Sequence, residues 1–326
     1  MKKRVLSGIQ PSGVIHLGNY LGAMKQHIEM QDSGTHECYF FIADLHALTT
    51  VKDAKRLAEM THDVALTYLS LGLDPEKTTF FKQSDIAEHT ELAWILSSVT
   101  PMGLLERAHA WKDAVEKGTK EKTVALFTYP VLMAADILIY KPDLVPVGKD
   151  QKQHIEITRD IATHFNSHFG ETFNQPQELT PESVAVVPGT DGQKMSKSYG
   201  NTIDIFAPEA TLKKQVMGIV TDSTPVEQPK DPSKCNVFAL YKLLATPTEI
   251  AALEAQYKKG GFGYGEAKKL LLAKLLEVFA PARKKRVELE ADRGYVERVL
   301  QMGADRARIE ARKTLDEVRK KIGTRP

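Results

Sequence analysis

Apolar residues in the first half of the chain occur in short runs bounded by polar turns. Val5–Ile9, Cys38–Ala43 and Thr79–Gln83 each have the length and composition of a buried strand. Helical periodicity begins near His16, after the first run, and a long helical pattern separates the second run from the third. Strands that alternate with helices predict a parallel sheet with right-handed crossovers. The fold class expected from this pattern is α/β with a doubly wound parallel sheet.

The last third of the chain has a different pattern. Strand signals fade after about residue 205, and helical periodicity over Ala267–Phe279 and Val287–Ile322 dominates. A chain of 326 residues is also long enough for a second core, since single cores stop growing near ~250–300 residues. We therefore predict an α/β domain in residues 1–205 and a C-terminal helical domain in residues 206–326.

The predicted sheet locates a ligand site. Parallel sheets bind ligands in the crevice beyond the carboxyl ends of their strands. The segments that follow the three predicted strands are Ser7–Ser12, Asp44–His46 and Gln83–Ser84. We expect these segments to share one pocket.

Composition excludes several classes of protein. No apolar stretch approaches the ~20 residues that span a bilayer, so no membrane association is expected. The basic start of the chain lacks the apolar core of a signal peptide, and the predicted location is therefore the cytoplasm. Two distant cysteines, Cys38 and Cys235, indicate neither a disulfide framework nor a Cys-based metal site.

Charge is distributed unevenly along the chain. Residues 281–326 carry 14 Lys and Arg against 8 Asp and Glu, a charge of +6, whereas the rest of the chain carries −4. Such an end is suited to a polyanion, although a solvated helix face would have the same composition.

A first candidate site follows the first predicted strand. Gln10-Pro11-Ser12-Gly13 precedes His16-Leu17-Gly18-Asn19 at the start of a helix, where backbone N–H groups and the helix dipole favour a phosphate. His16 and Asn19 add side-chain donors, and Gly18 allows a base or sugar to lie against its backbone. A capping histidine followed by a turn would also account for these residues.

A second candidate site is Lys194-Met195-Ser196-Lys197-Ser198, which follows Pro188–Gly192 in a pattern typical of an exposed loop. Two ammonium groups three residues apart can stabilise the negative charge that develops on a departing pyrophosphate. Lysines in a loop are otherwise ordinary solvated surface.

A third candidate site lies in the apolar segment Tyr129–Tyr140, in which Pro130 suits a first helical turn. Asp136 is the only charged residue in the segment, so its carboxylate is expected to be partly buried and to need a donor. Met133, Asp136, Ile137 and Tyr140 share one helical face, which would set a polarizable wall beside an acceptor. An indole fits such a site, but an Arg or Lys paired with Asp136 would fit the sequence as well.

Together, His16–Asn19 and Lys194–Ser198 resemble the two signature sequences of class I aminoacyl-tRNA synthetases, in the same order and at a similar separation. The resemblance implies a Rossmann-like catalytic domain and ATP bound with Mg²⁺. It also implies that an amino-acid carboxylate attacks the α-phosphate, releasing pyrophosphate, before the amino acid is transferred to tRNA. His16, Asn19, Lys194 and Lys197 are then the expected catalytic residues.

The segment Met133–Asp136, with Tyr129 and Pro130 before it, resembles tryptophanyl-tRNA synthetases, and so in chain order do Val220–Ser223, Asn236–Tyr241 and Gly260–Gly265. This closer resemblance implies L-tryptophan and tRNA(Trp) as substrates, Asp136 as acceptor of the indole N–H, a homodimer, and an anticodon-binding role for residues 206–326.

The same resemblance implies two sets of binding residues, and no protein-bound metal is expected. Those expected at the ATP are Gln10, Pro11, Ser12, Gly18, Asn19, Gly148, Lys149, Asp150, Val187, Lys194, Met195, Ser196, Lys197 and Ser198. Those expected at the tryptophan are His46, Tyr129, Met133, Asp136, Val145, Val147 and Gln151. Asp150 is also placed to cap the helix that follows it.

The chain departs from the tryptophanyl pattern at several positions. His16 stands where Thr is frequent, and Lys149 where Glu is common. Ala114 occupies the place of a loop lysine two residues beyond Lys112, for which Lys117, Lys120 or Lys122 are possible substitutes. Tyr199-Gly200-Asn201 replaces an acidic run after the second signature, which leaves open how that loop is held.

Two other functions remain compatible with parts of the sequence. Tyrosine-specific relatives share the fold, both signatures and an aspartate at the amino-acid site, but the Met133–Asp136 setting argues against them. A paralogue that has lost catalysis is the second, and the intact residues His16, Asp136, Lys194 and Lys197 argue against it.

Overall fold

The chain forms two compact units in a computed structural model that describes residues 2–118, 122–148, 151–179 and 187–325. Unit 1 comprises Met1–Gly13, His27–Glu182 and Leu289–Pro326. Unit 2 comprises Val14–Gln26 and Ser183–Glu288. Each unit is therefore assembled from segments that are distant in sequence.

Unit 1 is built around a parallel sheet with the strand order β3-β2-β1-β4-β5. Its strands are β1 (Lys3–Ile9), β2 (His36–Ile42), β3 (Thr78–Lys82), β4 (Leu144–Pro146) and β5 (Gln177–Leu179). The chain order reverses at β1, between β2 and β4, so polar segments at the carboxyl ends of these strands meet at one edge.

The central strands are buried because helices cover both faces of the sheet. The helices of unit 1 are α3 (Asp44–Ala47), α4 (Ala54–Ser70), α5 (Glu88–Ser97), α6 (Met102–Glu106), α7 (His109–Glu116), α8 (Val124–Leu138), α9 (Lys152–Phe169) and α14 (Arg293–Lys321), together with α2 (Lys25–Asp32), which begins at the edge of unit 2. Apolar side chains of α5, α8, α9 and α14 join those of β1–β4 in one continuous core. No described helix is long and apolar enough to cross a membrane.

The C-terminal helix α14 packs against the edge strand β3. Gly303 is required at this contact, because a Cβ built there would lie 1.8 Å from the Phe80 carbonyl oxygen. Arginines of α14 secure it further: Arg306 and Arg308 donate to the Pro75 and Asp85 carbonyls. Much of the basic charge at the chain's end therefore holds the helix to the sheet.

The same helix also carries ion pairs to α5. Arg312 lies 2.8 Å from a Glu88 oxygen, and Arg319 lies 2.5 Å from a Glu91 oxygen. The Arg319 hydrogen bond holds the pKa of Glu91 below its ordinary value, against a smaller opposing effect of burial. These partially exposed pairs are each worth little, but together they orient the helix.

Helices are the main regular elements among the described residues of unit 2. It contains α1 (Leu17–Asn19), a π-helical turn (Tyr20–Met24), α10 (Glu209–Met217), α11 (Asn236–Lys242), α12 (Pro247–Lys259) and α13 (Tyr264–Glu290). Arg283 on α13 donates to the carbonyls of Ile205 and Ala207. Tyr20 packs edge-on against Phe279 with ring centroids 5.0 Å apart.

Most sequence predictions of elements are confirmed, with three corrections. β5 gave no strand signal. Pro130 lies in the interior of α8, not in its first turn, because Thr123 caps that helix by accepting from the Leu126 N–H. The periodicity over Val287–Ile322 covers two helices, which separate where Asp292 caps α14.

The boundary near residue 205, between a catalytic and a tRNA-binding domain, stays a prediction. The compact units follow other limits, since α14 belongs to unit 1 and Val14–Gln26 to unit 2.

Candidate active site

Asp136 is the most deeply buried acidic group among the described residues of unit 1. It lies near the end of α8 and is 1% exposed. Both of its oxygens accept from Gln83 Nε2, at 2.9 and 2.8 Å, and Oδ2 also lies 2.9 Å from His46 Nε2. Burial raises the pKa of Asp136, but hydrogen bonds from His46 and His89 outweigh it, so the pKa lies below its ordinary value. The carboxylate therefore stays charged, with both of its oxygens held by neighbouring side chains.

The partners of Asp136 differ from the Arg or Lys that the sequence left open. His89 Nδ1 lies 2.8 Å from Oδ1 of Asp136, and His89 Nε2 lies 2.7 Å from the Tyr140 hydroxyl. Gln83 is placed by the end of β3, and its Oε1 accepts from the N–H groups of Leu45 and His46. His89 escaped sequence reasoning because it lies in a helical stretch without any motif.

The segments after β2 and β3 meet as predicted. Besides the Gln83 contacts, the Asp44 carboxylate accepts from the backbone and hydroxyl of Ser84, at 3.0 and 2.5 Å. Ser12, from the loop after β1, lines a cavity of about 250 Å³ with Thr50 and Arg56. Gln10 and Pro11 lie in the same loop.

Other residues expected at the tryptophan lie around Asp136 or in the adjoining core. The His46 ring packs edge-on against Tyr129, whose hydroxyl lies 2.6 Å from His154 Nε2. Met133 and Val147 are half-buried at the margin of the core, whereas Val145 is buried within it. Ile137 and Tyr140 are also core residues. Of the apolar residues predicted to share a helical face with Asp136, only Met133 is therefore half-buried and at the margin of the core.

Unit 2 contains both signature sequences, and they contact each other. The Gly18 N–H donates to Met195 Sδ at 3.3 Å, and the Leu17 N–H donates to the Ile203 carbonyl at 2.9 Å. His16 is 6% exposed, and its Nδ1 has no hydrogen-bond partner among the described residues. Burial and the charge of Lys197 lower the pKa of His16 to about 4, so it is a neutral donor near pH 7.

The rest of the second signature is partly exposed. Lys194 and Ser198 are exposed, Ser196 and Lys197 are half-buried, and Met195 is 5% exposed. The N–H of Met195 donates to the carbonyl of Val187. The oxygen of the Asn19 side chain accepts from the His16 N–H at 3.2 Å.

The remaining predicted residues have mixed outcomes. Gly148 is exposed after β4, and Gln151 occupies the N-cap position of α9. Lys149, Asp150 and Lys120 lie outside the described residues, and the cap predicted for Asp150 lies there with them. Lys117 pairs with Asp113, 3.3 Å away, and Ala114 is buried on α7, where a lysine would be costly.

Comparison with known proteins decides the family. The family model described as tRNA synthetases class I (W and Y) matches residues 1–280. The chain belongs to this family of class I tRNA synthetases.

Individual relatives match along the whole synthetase chain. The tryptophan–tRNA ligase of Fusobacterium nucleatum is 53% identical, covering 98% of each chain. That of Rhodopirellula baltica is 54% identical, covering 99% of this chain and 100% of the relative. The crystal structure of tryptophanyl-tRNA synthetase from Campylobacter jejuni complexed with ADP and tryptophan is 49% identical, with a TM-score of 0.92 over 98% of this chain and 99% of that one.

Proposed function

We propose that this synthetase is a tryptophan–tRNA ligase. It activates L-tryptophan with ATP to tryptophanyl-adenylate and pyrophosphate, and then transfers the tryptophan to tRNA(Trp). The observation that carries the proposal is the buried, charged Asp136, a fixed acceptor beside the apolar side chain of Met133. The names of the relatives described above support the same substrate.

Tryptophan is recognised in this proposal by one polar contact inside an apolar site. The indole N–H donates to Asp136, while Met133, Val145 and Val147 contact the ring, and His46, Tyr129 and Gln151 contribute polar groups around it. A phenylalanine side chain would leave the buried carboxylate without this donor, at a cost of roughly 1–3 kcal/mol. Selectivity therefore rests on the pairing of a single N–H.

The residues proposed to contact ATP are Gln10, Pro11, Ser12, His16, Gly18, Asn19, Gly148, Lys149, Asp150, Val187, Lys194, Met195, Ser196, Lys197 and Ser198. Mg²⁺ enters with the ATP phosphates; among the described residues no cluster of three or more His, Cys, Asp or Glu side chains is placed to hold a metal ion.

The chemistry needs no protein nucleophile. The tryptophan carboxylate attacks the α-phosphorus, the bond to the bridging oxygen breaks, and pyrophosphate leaves with the bond electrons. His16 donates to the phosphates as a neutral imidazole, and the ammonium groups of Lys194 and Lys197 stabilise the charge that grows on the leaving group. Positioning and electrostatics supply the acceleration.

The protein is also proposed to be a homodimer in the cytoplasm, where its substrates ATP and tRNA occur. Sedimentation equilibrium of the full chain should give about twice 36.3 kDa. A mass of one chain at micromolar concentration would contradict the dimer. Residues 206–326 are proposed to include the part that reads the anticodon.

The test of function is ATP–pyrophosphate exchange with Mg²⁺ and each of the twenty amino acids. Exchange with tryptophan alone is the expected result. Exchange with tyrosine would retain the family and overturn the specificity. An absence of exchange with every amino acid, in protein that binds tryptophan, would favour a paralogue without catalysis.

A further inference from the structure

The loop that carries Lys194–Ser198 is closed by its own backbone. Pro188 and Lys194 form an antiparallel bridge, and a short 3₁₀ turn, Lys197–Tyr199, follows. This turn ends at Gly200, whose φ of 64° suits glycine. The chain then reaches Asn201, a residue that lies outside both signature sequences.

Asn201 is 2% exposed, and its carboxamide makes three hydrogen bonds to the loop. Its Nδ2 donates to Asp191 Oδ1 at 2.7 Å and to the Lys194 carbonyl at 3.2 Å. Its Oδ1 accepts from the Ser196 N–H at 2.8 Å. This orientation of the carboxamide is the one that satisfies all three partners, because two are acceptors and one is a donor.

The backbone around Asn201 is fitted to that side chain. The Asn201 carbonyl accepts from the Thr190 N–H at 2.9 Å. A Cβ built on Gly189 would lie 2.3 Å from Cγ and Nδ2 of Asn201, so glycine at 189 is what allows the carboxamide to enter. Asn201, a single buried residue, therefore forms hydrogen bonds with the loop at positions 190, 191, 194 and 196.

We propose that Asn201 is a positioning residue for the activation step, an inference that rests on the function proposed above. By binding the Lys194 carbonyl and the Ser196 N–H, it fixes the backbone on both sides of Met195. Lysine side chains are flexible, so the protein can direct Lys194 and Lys197 only through the backbone that carries them. Groups held in place before the reaction stabilise a transition state without reorganisation.

The residue type is specific to this task. Aspartate has the same shape as asparagine but no donor, so Asn201→Asp would lose the bonds to Asp191 and Lys194 and would bring two carboxylates together. The double variant Asn201→Asp with Asp191→Asn restores a donor–acceptor pair between these positions and the original net charge.

The experiment is tryptophan-dependent ATP–pyrophosphate exchange by the full chain. Asn201→Asp should lower kcat roughly tenfold to a hundredfold, since small misplacements of catalytic groups have effects of this size. The KM for tryptophan should change less than about twofold, because the hydrogen bonds of Asn201 go to the loop and not to a residue proposed to contact tryptophan. The double variant should recover part of the loss, and kcat as low as that of Asn201→Asp would contradict the pairing of positions 191 and 201.

A second comparison separates positioning from a general structural role. If Asn201 acts through Lys197, then Asn201→Asp should cost less than roughly threefold once Lys197→Ala is present, because coupled effects are not additive. An equal loss in both backgrounds would overturn the proposal.

Controls cover folding and the function itself. Tryptophan binding by equilibrium dialysis counts intact sites, and Tyr199→Ala, on the same loop with a 62% exposed side chain, should retain wild-type kcat. If Asn201→Asp does not fold, Asp191→Ala at the exposed end of the network takes its place, with an expected kcat loss of roughly threefold that Lys197→Ala abolishes. Failure of the wild-type protein with tryptophan would count against the proposed function, whereas an active wild type with an unaffected variant would count against Asn201 alone.

Discussion

At the scale of single residues, the site depends on a carboxylate that is already surrounded by donors. Asp136 accepts from Gln83 and His46, and both of these are fixed by the loops that end β2 and β3. A buried carboxylate with such partners has a set direction for each lone pair. His89 also lies 2.8 Å from Asp136, and of the three partners His46 alone is partly exposed, so an indole N–H has to share or replace the His46 contact.

Replacing Asp136 by Asn tests this arrangement with almost no change in volume. The amide keeps one acceptor oxygen, but its NH₂ group must face the donor Gln83 Nε2, which contacts both oxygen positions of Asp136. We expect the KM for tryptophan to rise roughly tenfold to a hundredfold, as for loss of a buried charged acceptor, with the KM for ATP nearly unchanged. The measurement is exchange at varied tryptophan. The matched control is Asp160→Asn, which changes an exposed carboxylate on α9. Equal KM values for tryptophan in the wild type and in Asp136→Asn would refute the role of the carboxylate.

The sequence was informative about Asp136 itself and uninformative about its surroundings. A lone acidic residue in an apolar helical segment predicts burial and an acceptor, because an unpaired buried charge is too costly. His89 and Gln83 reach it only through the packing of α5 and β3 against α8, and no local pattern encodes that contact. The contacts of Asn201 were not predictable from a local pattern either, although its three partners lie only 5 to 10 residues before it.

At the scale of elements, the contact between α14 and β3 depends on the absence of a side chain at Gly303. An Ala there would press its Cβ against the Phe80 backbone, which cannot move without disturbing the sheet. We expect Gly303→Ala to lower the free energy of unfolding by about 1–3 kcal/mol, as for other overpacked sites.

The control for Gly303 lies on the same helix. Gly294, in the first turn of α14, would place a Cβ 3.1 Å from the end of the flexible Arg298 side chain. Gly294→Ala should therefore be neutral or stabilising by up to ~1 kcal/mol. Urea unfolding of both variants measures the difference, and equal stability of the two would show that α14 can shift away from β3 at little cost.

Elements with strong local patterns were predictable, and those formed by long-range contacts were not. β1, β2 and β3 each lie within two residues of their predicted limits, because buried parallel strands are continuous apolar runs. β5 is three residues long and partly exposed, and only its pairing with β4 makes it a strand. The basic pattern of α14 predicted a charged surface, but the acidic partners of that surface lie on α5.

At the scale of the whole molecule, each compact unit contains a buried histidine that is neutral when folded. His27 in unit 1 stacks on Phe40 and lies 2.8 Å from the Tyr68 hydroxyl. Burial lowers the pKa of His27 to about 4, and burial with the charge of Lys197 does the same for His16 in unit 2. Acid should therefore destabilise both units, each through its own group.

The sign of this effect follows from proton binding. Between about pH 6.5 and 4 the unfolded chain protonates these histidines and the folded chain does not, so the free energy of unfolding falls as the pH falls. Each histidine contributes up to about 1.4 kcal/mol per pH unit in that window, and the loss levels off below about pH 4. Urea unfolding at pH 7 and pH 5 should show the decrease for the wild type.

Single substitutions assign that decrease to its source. His27→Gln removes one titrating group, so its unfolding free energy should fall by roughly 2 kcal/mol less than that of the wild type between pH 7 and pH 5. His168→Gln, which changes an exposed ring on α9, should keep the wild-type dependence. If His27→Gln also kept the wild-type pH dependence, His27 would be protonated in the folded protein. The protonated ring could then only donate, not accept, in its hydrogen bond with the Tyr68 hydroxyl. His16 lies in the other unit, close to Lys197. The decrease in unfolding free energy that remains in His27→Gln should therefore become smaller when His16→Gln is added. This result would link the acid sensitivity of unit 2 to the residue proposed to bind the ATP phosphates.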